Sequence, residues 1–194
     1  MGWQGGWRLV VRAVSRTIDR TLLGWPLIGL PTMVLLGLGV RDGATPLDGF
    51  FQQAHDSPLS SLLFFTDYRT AGTLVGATAI TALYRRIWLL VPLAVVVPFL
   101  AVHATEALKP WFGRMKEEGL AYPSGHTTML IAVLGMLVLA AGGRRWVVAA
   151  AVVFAGLGML GQAVTYHYFT DTLGGLLLST SLVCLVAAVL RRVR

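Results

Sequence analysis

Apolar runs separated by short polar clusters set the pattern of the chain. Five stretches, about residues 22–40, 87–108, 126–142, 146–166 and 173–190, are almost free of charge. A membrane helix needs roughly 20 mostly apolar residues to cross the hydrocarbon core. Another stretch, about 57–84, is apolar overall but interrupted by Asp67-Tyr68-Arg69. It divides into a short interfacial piece from Ser57 and a span from about Thr70 to Tyr84. The pattern predicts an all-α, polytopic membrane protein with six transmembrane helices.

Residues 1–20 follow a different pattern. Arg8, Arg12, Arg16 and Arg20 are spaced by four, with Trp3, Trp7, Val10, Val11, Val14 and Ile18 elsewhere around the helix. This reads as an amphipathic helix lying on the inner membrane surface; a frayed basic tail is the plainer alternative. The segment has no apolar h-region of the kind a cleaved signal peptide carries. The expected organisation is a single domain, 1–194, made of the interfacial segment 1–20 and a bundle over 22–190.

Composition agrees with a bilayer. Of 194 residues, 56% are hydrophobic and 13% charged, about half the charged share of a soluble domain. That excludes disorder and a coiled coil and argues against a water-soluble globule. One cysteine, Cys184, permits no internal disulfide and no Cys-based metal site.

A net charge of +7 at first suggests nucleic acid, but its distribution argues otherwise. Basic residues favour the cytoplasmic side of a membrane protein. Arg8 to Arg20, Arg85-Arg86, Arg144-Arg145 and Arg191, Arg192 and Arg194 all fall on one face if there are six spans. That face holds eleven arginines against Asp19, and the other holds five cations against eight acids. Both termini are therefore expected in the cytoplasm, with no nucleic-acid partner.

The outward face carries two substantial segments, 41–56 and 109–125. In the second, Tyr122-Pro123-Ser124-Gly125-His126 precedes the fourth span. Proline and a small hydroxyl residue open helices well, and the first amides of a helix form an anion site. Ser124 and Gly125 are then candidates to meet an anion, with His126 as proton donor. An ordinary N-cap followed by an interfacial histidine accounts for the same residues. His167 and Asp171, at the outer end of the fifth span, share a face if the turn is helical. The carboxylate would fix the imidazole tautomer and leave the other nitrogen free to attack; a structural His–Asp pair is the alternative. Lys109, Arg114 and Lys116 lie on the outward face against the positive-inside trend. They suit an oxyanion clamp or salt bridges to Glu106, Glu117 or Glu118. His103 and Glu106, three apart, read as a pair sealing the bundle. Glycines 156, 158, 161, 174 and 175 suit close helix contact.

At these positions the chain resembles the type-2 phosphatidic-acid phosphatase superfamily, the integral-membrane lipid phosphate phosphatases. The family's three ordered motifs are Lys-x6-Arg-Pro, Pro-Ser-Gly-His and Ser-Arg-x5-His-x3-Asp. They correspond here to Lys109 through Glu117, Pro123 through His126 and Leu160 through Asp171. The resemblance implies hydrolysis through a phosphohistidine, without metal or other cofactor. His167 would be the nucleophile, Asp171 its orienting carboxylate, and His126 the acid and then the base. Lys109, Ser124 and the amides at Gly125 and His126 would hold the phosphoryl oxygens.

Two departures stand out. The Arg-Pro of the first motif is Lys116-Glu117, although Arg114 keeps a Gly-Arg that is common just before it. The Ser-Arg of the third motif is Leu160-Gly161, so its arginine is missing, and Gln162 points about 100° away on a helix. Three explanations stay open: Arg114 and Lys116 compensate, the substrate differs, or the chain is a weakened relative. The intact histidines and Asp171 favour compensation, and Arg69 is a further cation on the outward side.

The expected protein is thus a membrane phosphatase of a bacterial plasma membrane, working at the extracytoplasmic interface. Its substrate would be a lipid phosphate or diphosphate: a polyprenyl carrier, a polyprenyl-linked sugar phosphate or a glycerolipid. The Ala/Val/Arg/Gly-rich composition resembles actinobacterial members, some of which serve cell-wall synthesis. A catalytically weakened lipid-phosphate binder and a small transporter are readings of another class.

Overall fold

The charge-poor stretches fold as long helices because every backbone amide is then satisfied within the segment, the condition for crossing lipid. A computed structural model describes the backbone of residues 3–193 and the side chains of 21–192. Helix α1 (Trp3–Gly39) is followed by the short α2 (Pro46–Gln52), a 3-10 segment (Pro58–Thr66) and α3 (Tyr68–Tyr84). Then come α4 (Leu90–Phe112), the two-residue strands β1 (Met115–Lys116) and β2 (Gly119–Leu120), α5 (Gly125–Ala140), α6 (Arg145–Val164) and α7 (Phe169–Val193). The strands pair antiparallel, Met115 with Leu120 and Lys116 with Gly119.

Among the described residues, four helical stretches are long and apolar enough to cross a membrane: Thr21–Gly39, Leu90–Phe112, Arg145–Val164 and Phe169–Arg192. Helix α5 is apolar but shorter, and α3 has 17 residues. The amphipathic face expected at residues 1–20 lies outside the described side chains. Asp67 breaks the 57–84 stretch for a local reason: its carboxylate caps α3, accepting from the Arg69 amide at 2.8 Å.

Helix α5 is the axis of the bundle. It packs against α3, α4, α6, α7 and the 3-10 segment, while α1 lies along α7. One buried cluster at its start gathers Met33, Val40, Phe112, Tyr122 and Leu178; another near its end gathers Ala82, Leu90, Val97, Met136 and Ala140. The outer helix faces expose Leu27, Ile28, Ile80, Phe99, Leu100 and Val152, a surface suited to lipid rather than water. Exposed aromatics mark both ends, Tyr68, Trp111 and Tyr166 at one and Tyr84, Trp88 and Trp146 at the other, as in an interfacial belt.

Close helix contact accounts for four of the five glycines singled out above. A Cβ at Gly158, Gly161, Gly174 or Gly175 would come within 3 Å of a neighbouring atom. Gly156 instead faces open space.

Candidate active site

The last turns of α4 and α6, the first turn of α5 and the start of α3 with the 3-10 segment before it meet around one cavity of about 810 Å³. Lys109, Gly125, His126 and His167 line it together with Glu106 and Gln162. The His126 and His167 ring centroids are 6.2 Å apart. Below the histidines the walls are apolar, with Val75 from α3, Val95, Phe99 and Val102 from α4, and Met129 from α5.

His126 reaches the cavity from the first turn of α5, and Ser124 sets that turn. Its hydroxyl accepts from the Thr127 amide at 3.3 Å, and its own amide donates to the Asp171 carbonyl at 3.0 Å. Ser124 is completely buried and does not line the cavity. The two histidine-bearing segments are thus tied together through the backbone.

His167 lies in the turn between α6 and α7, not within a helix. The four-residue spacing to Asp171 works differently from the helical face expected: Asp171 sits in the first turn of α7 and folds its carboxylate back over the turn. Its Oδ2 accepts from the Tyr168 amide at 2.9 Å and stands 3.6 Å from His167 Nδ1. That nitrogen is buried and makes no hydrogen bond among the described residues. Catalytic hydrogen bonds are often this long without substrate.

Behind Asp171 lies a sealed ionic cluster. Gly113 ends α4 with φ +63°, a left-handed turn that costs glycine little, and the chain swings Arg114 inward. Arg114 Nη1 donates to Asp171 Oδ1 and Thr170 Oγ1, both at 2.6 Å. Its Nη2 donates to Asp48 Oδ2 at 2.7 Å and to the Gly43 carbonyl at 2.8 Å. Its guanidinium stacks 4.4 Å from the Tyr168 ring centre. Arg114, Asp48 and Asp171 are all fully buried. Burial pushes the Asp48 carboxyl up, but the amides of Thr170 and Thr45 and the Arg114 guanidinium outweigh it and hold it below its usual range.

Lys116 also turns away from the cavity. Its Nζ donates to the carbonyls of Thr165 at 2.6 Å and His167 at 3.3 Å. Gln52 Nε2 donates to Ala163 O at 2.6 Å and to the same His167 carbonyl at 3.1 Å. Lysine and glutamine together hold the turn that presents His167. Burial lowers the Lys116 ammonium pKa, against the pull of Glu117, Asp171 and Asp48.

The eight residues expected at the site therefore divide. Lys109, Gly125, His126 and His167 share the cavity, while Asp171, Arg114, Lys116 and Ser124 stand behind it. Lys109 Nζ pairs with Glu106 Oε1 at 2.7 Å. Glu106 accordingly does not pair with His103, whose ring meets the Phe99 carbonyl at 2.9 Å on an exposed face. Arg69 is exposed beside Tyr68 and is not part of the lining. Position 161 has no room for a side chain, because a Cβ there would lie 2.7 Å from the Leu62 carbonyl carbon and 2.8 Å from the Leu63 amide nitrogen.

Glu106 meets Lys109 as one of the expected salt bridges, whereas the sequence pattern did not single out Asp48, Thr170 or Gln52. Asp48 had a local signal: Thr45-Pro46-Leu47-Asp48 forms a capping box at the start of α2. Nothing local pairs it with an arginine 66 positions away.

The sequence model of the PAP2 superfamily matches residues 70–194. The fold is similar to the crystal structure of the first transmembrane PAP2 type phosphatidylglycerolphosphate phosphatase from Bacillus subtilis, with a TM-score of 0.70. Identity is 20%, over 87% of this chain and 97% of that one, so the likeness is one of fold. No curated protein matches the chain.

Proposed function

The chain belongs to the PAP2 superfamily, and from that premise we propose that it is a membrane phosphatase acting on a lipid-linked phosphate or diphosphate. One observation carries the reading. Two histidines face each other across a cavity that also holds Lys109 and the start of α5, with Asp171 behind one of them.

The chemistry needs only protein groups. With Nδ1 of His167 turned to Asp171, Nε2 attacks phosphorus and the bond from phosphorus to the departing lipid or sugar oxygen breaks. His126 donates a proton to that oxygen. A water then attacks the phosphohistidine, His126 takes its proton, and the P–N bond breaks to release phosphate and free His167. Lys109 and the amides of Gly125 and His126 hold the phosphoryl oxygens as charge develops. Arg114 and Lys116, read at first as phosphate ligands, act instead through Asp171 and the 165–167 turn. No arginine at position 161 takes part.

The apolar lower walls of the cavity support a substrate that brings its own hydrocarbon: a polyprenyl carrier, a polyprenyl-linked sugar phosphate or a glycerolipid. In this reading α3 and α5 cross the bilayer beside the four longer spans, giving six. The arginine-rich end and both termini face the cytoplasm, and the histidines face outward.

Purified protein in detergent, given a panel of lipid phosphates with chelator present, is expected to release phosphate. His167→Ala should lower the rate at least about 10⁴-fold while lipid binding persists. Binding without release from any lipid would sink the enzyme and leave a lipid-phosphate binder.

A further inference from the structure

Helices α3 and α6 both pack on α5, and the filling of the trough between them changes along its length. Near the histidines the 3-10 segment lies in it, with the Leu62–Leu63 backbone against Gly161 and Phe65 edge-on to Phe154 at 4.9 Å. Beyond Phe154 no segment among the described residues fills the trough. What remains is a second cavity of about 480 Å³, within the roughly 300–1,000 Å³ range of ligand pockets. Its walls are Leu74 of α3, Leu134 and Leu137 of α5, and Ala150, Ala151 and Phe154 of α6.

Arg85 and Arg144 also line this cavity, alongside exposed Tyr84 and Trp146. Arg85 Nη1 donates to the Ala140 carbonyl at 2.9 Å, which sets the guanidinium over the turn between α5 and α6. It lies so close to that turn that a Cβ at Gly142 would meet it at 2.4 Å. Among the described residues no carboxylate pairs with either arginine.

Thr81 in the wall already donates its hydroxyl to the Ala77 carbonyl at 2.7 Å, so the trough offers water little, and at bilayer depth lipid chains are the medium that reaches it. Two arginines at its end, without acidic partners, select against a neutral head group, and basic pockets between membrane helices hold acidic ones. Free phosphate would satisfy the arginines and leave the walls bare. We propose that this trough is a binding site for an anionic membrane phospholipid. One acyl chain runs along α3, α5 and α6, and the phosphate lies between Arg85 and Arg144. The site requires the bundle to lie in a bilayer but not the phosphatase chemistry, since it shares no residue with the catalytic cavity.

The test is native mass spectrometry of the protein released from nanodiscs of mixed phosphatidylglycerol and phosphatidylcholine. The expected result is a retained phosphatidylglycerol, enriched about tenfold over its share of the disc. Arg85→Gln with Arg144→Gln should abolish the enrichment, and the paired Lys substitutions should keep it. Ala151→Trp, which fills the trough, should remove the retained lipid itself. Lipid held in the catalytic cavity or as a loose annulus would survive both the Gln pair and Ala151→Trp, and that outcome overturns the proposal. It is equally overturned if the Gln and Lys pairs behave alike, or if inorganic phosphate alone displaces the retained phosphatidylglycerol.

Discussion

On one side of His167 an open cavity holds Lys109 and Glu106; on the other, a sealed cluster holds Arg114, Asp48 and Asp171. Each is a cation meeting carboxylate, but the conditions are opposite. The Lys109 and Glu106 side chains are 15% and 56% exposed, and the pair is a single contact one helical turn apart. Such pairs contribute about 0–1 kcal/mol, so an arriving phosphate displaces the carboxylate at little cost. The Arg114 cluster is wholly out of water, and both Nη nitrogens are bonded twice. A buried charge that loses its partner costs about 3–5 kcal/mol. On the proposed function, the weakly held cation is therefore the one that meets the phosphate, and the strongly held one positions a carboxylate.

Breaking the sealed side should have the larger effect on folding. Arg114→Met leaves Asp48 and Asp171 both buried and unpaired, and should destabilise the protein by about 3–5 kcal/mol. Thermal unfolding in detergent measures it, together with the phosphate-release rate, which should fall because Asp171 no longer has a fixed orientation. A variant with normal stability and a raised KM would mean that Arg114 binds substrate after all, and the division drawn here would fail.

The open side should show the reverse signature. Lys109→Ala removes one donor from the place where phosphoryl charge develops, a loss of about 2.7–4 kcal/mol in kcat/KM, or roughly 10²–10³-fold. Its unfolding temperature should fall much less than that of Arg114→Met, because the partner it leaves, Glu106, is 56% exposed and stays in water. A large drop in stability with little change in kcat/KM would place Lys109 on the structural side.

The order of the motifs and the helix-forming runs could be read from the chain because both are local patterns. Pro-Ser-Gly-His at a helix start and His-x3-Asp after the next span name the histidines whatever surrounds them. Which cations face the ligand is a tertiary fact. Lys109, Arg114 and Lys116 fall within eight residues, yet Gly113 and the short hairpin send the second and third away from the cavity. Asp48 was visible as a capping residue, but its bond to Arg114 joins segments 66 positions apart. The His167–Asp171 spacing suggested a helical face because four residues is one turn; a non-helical turn meets the same spacing when the carboxylate caps the following helix. The expected apolar stretch 126–142 matches α5 to within two residues, because a charge-free run bounded by Ser124 and Gly142-Gly143 is itself a local pattern.

Position 161 draws the same contrast at the scale of one Cβ. From the motif alone, glycine there looks like a lost phosphate ligand, and restoring arginine looks like a repair. The packing argues the other way. The 3-10 segment lies on α6 at this point, with backbone atoms of Leu62 and Leu63 where a side chain would begin, and Gln162 Nε2 fastens the two at 2.7 Å through Thr66 Oγ1. Backbone cannot rotate aside as a side-chain tip can, so even Gly161→Ala should cost about 1–3 kcal/mol of stability. Gly161→Arg should cost at least as much and yield no gain in phosphate release, because the Leu62–Leu63 backbone occupies the start of the only path its side chain has. Unfolding temperature and initial rate on the same preparations test this. A Gly161→Arg protein that is stable and faster would show that the 3-10 segment yields and that the arginine had merely been lost. A destabilised and no faster protein would mean the segment and the glycine form one packing unit, with Lys109 and the start of α5 left to hold the phosphate.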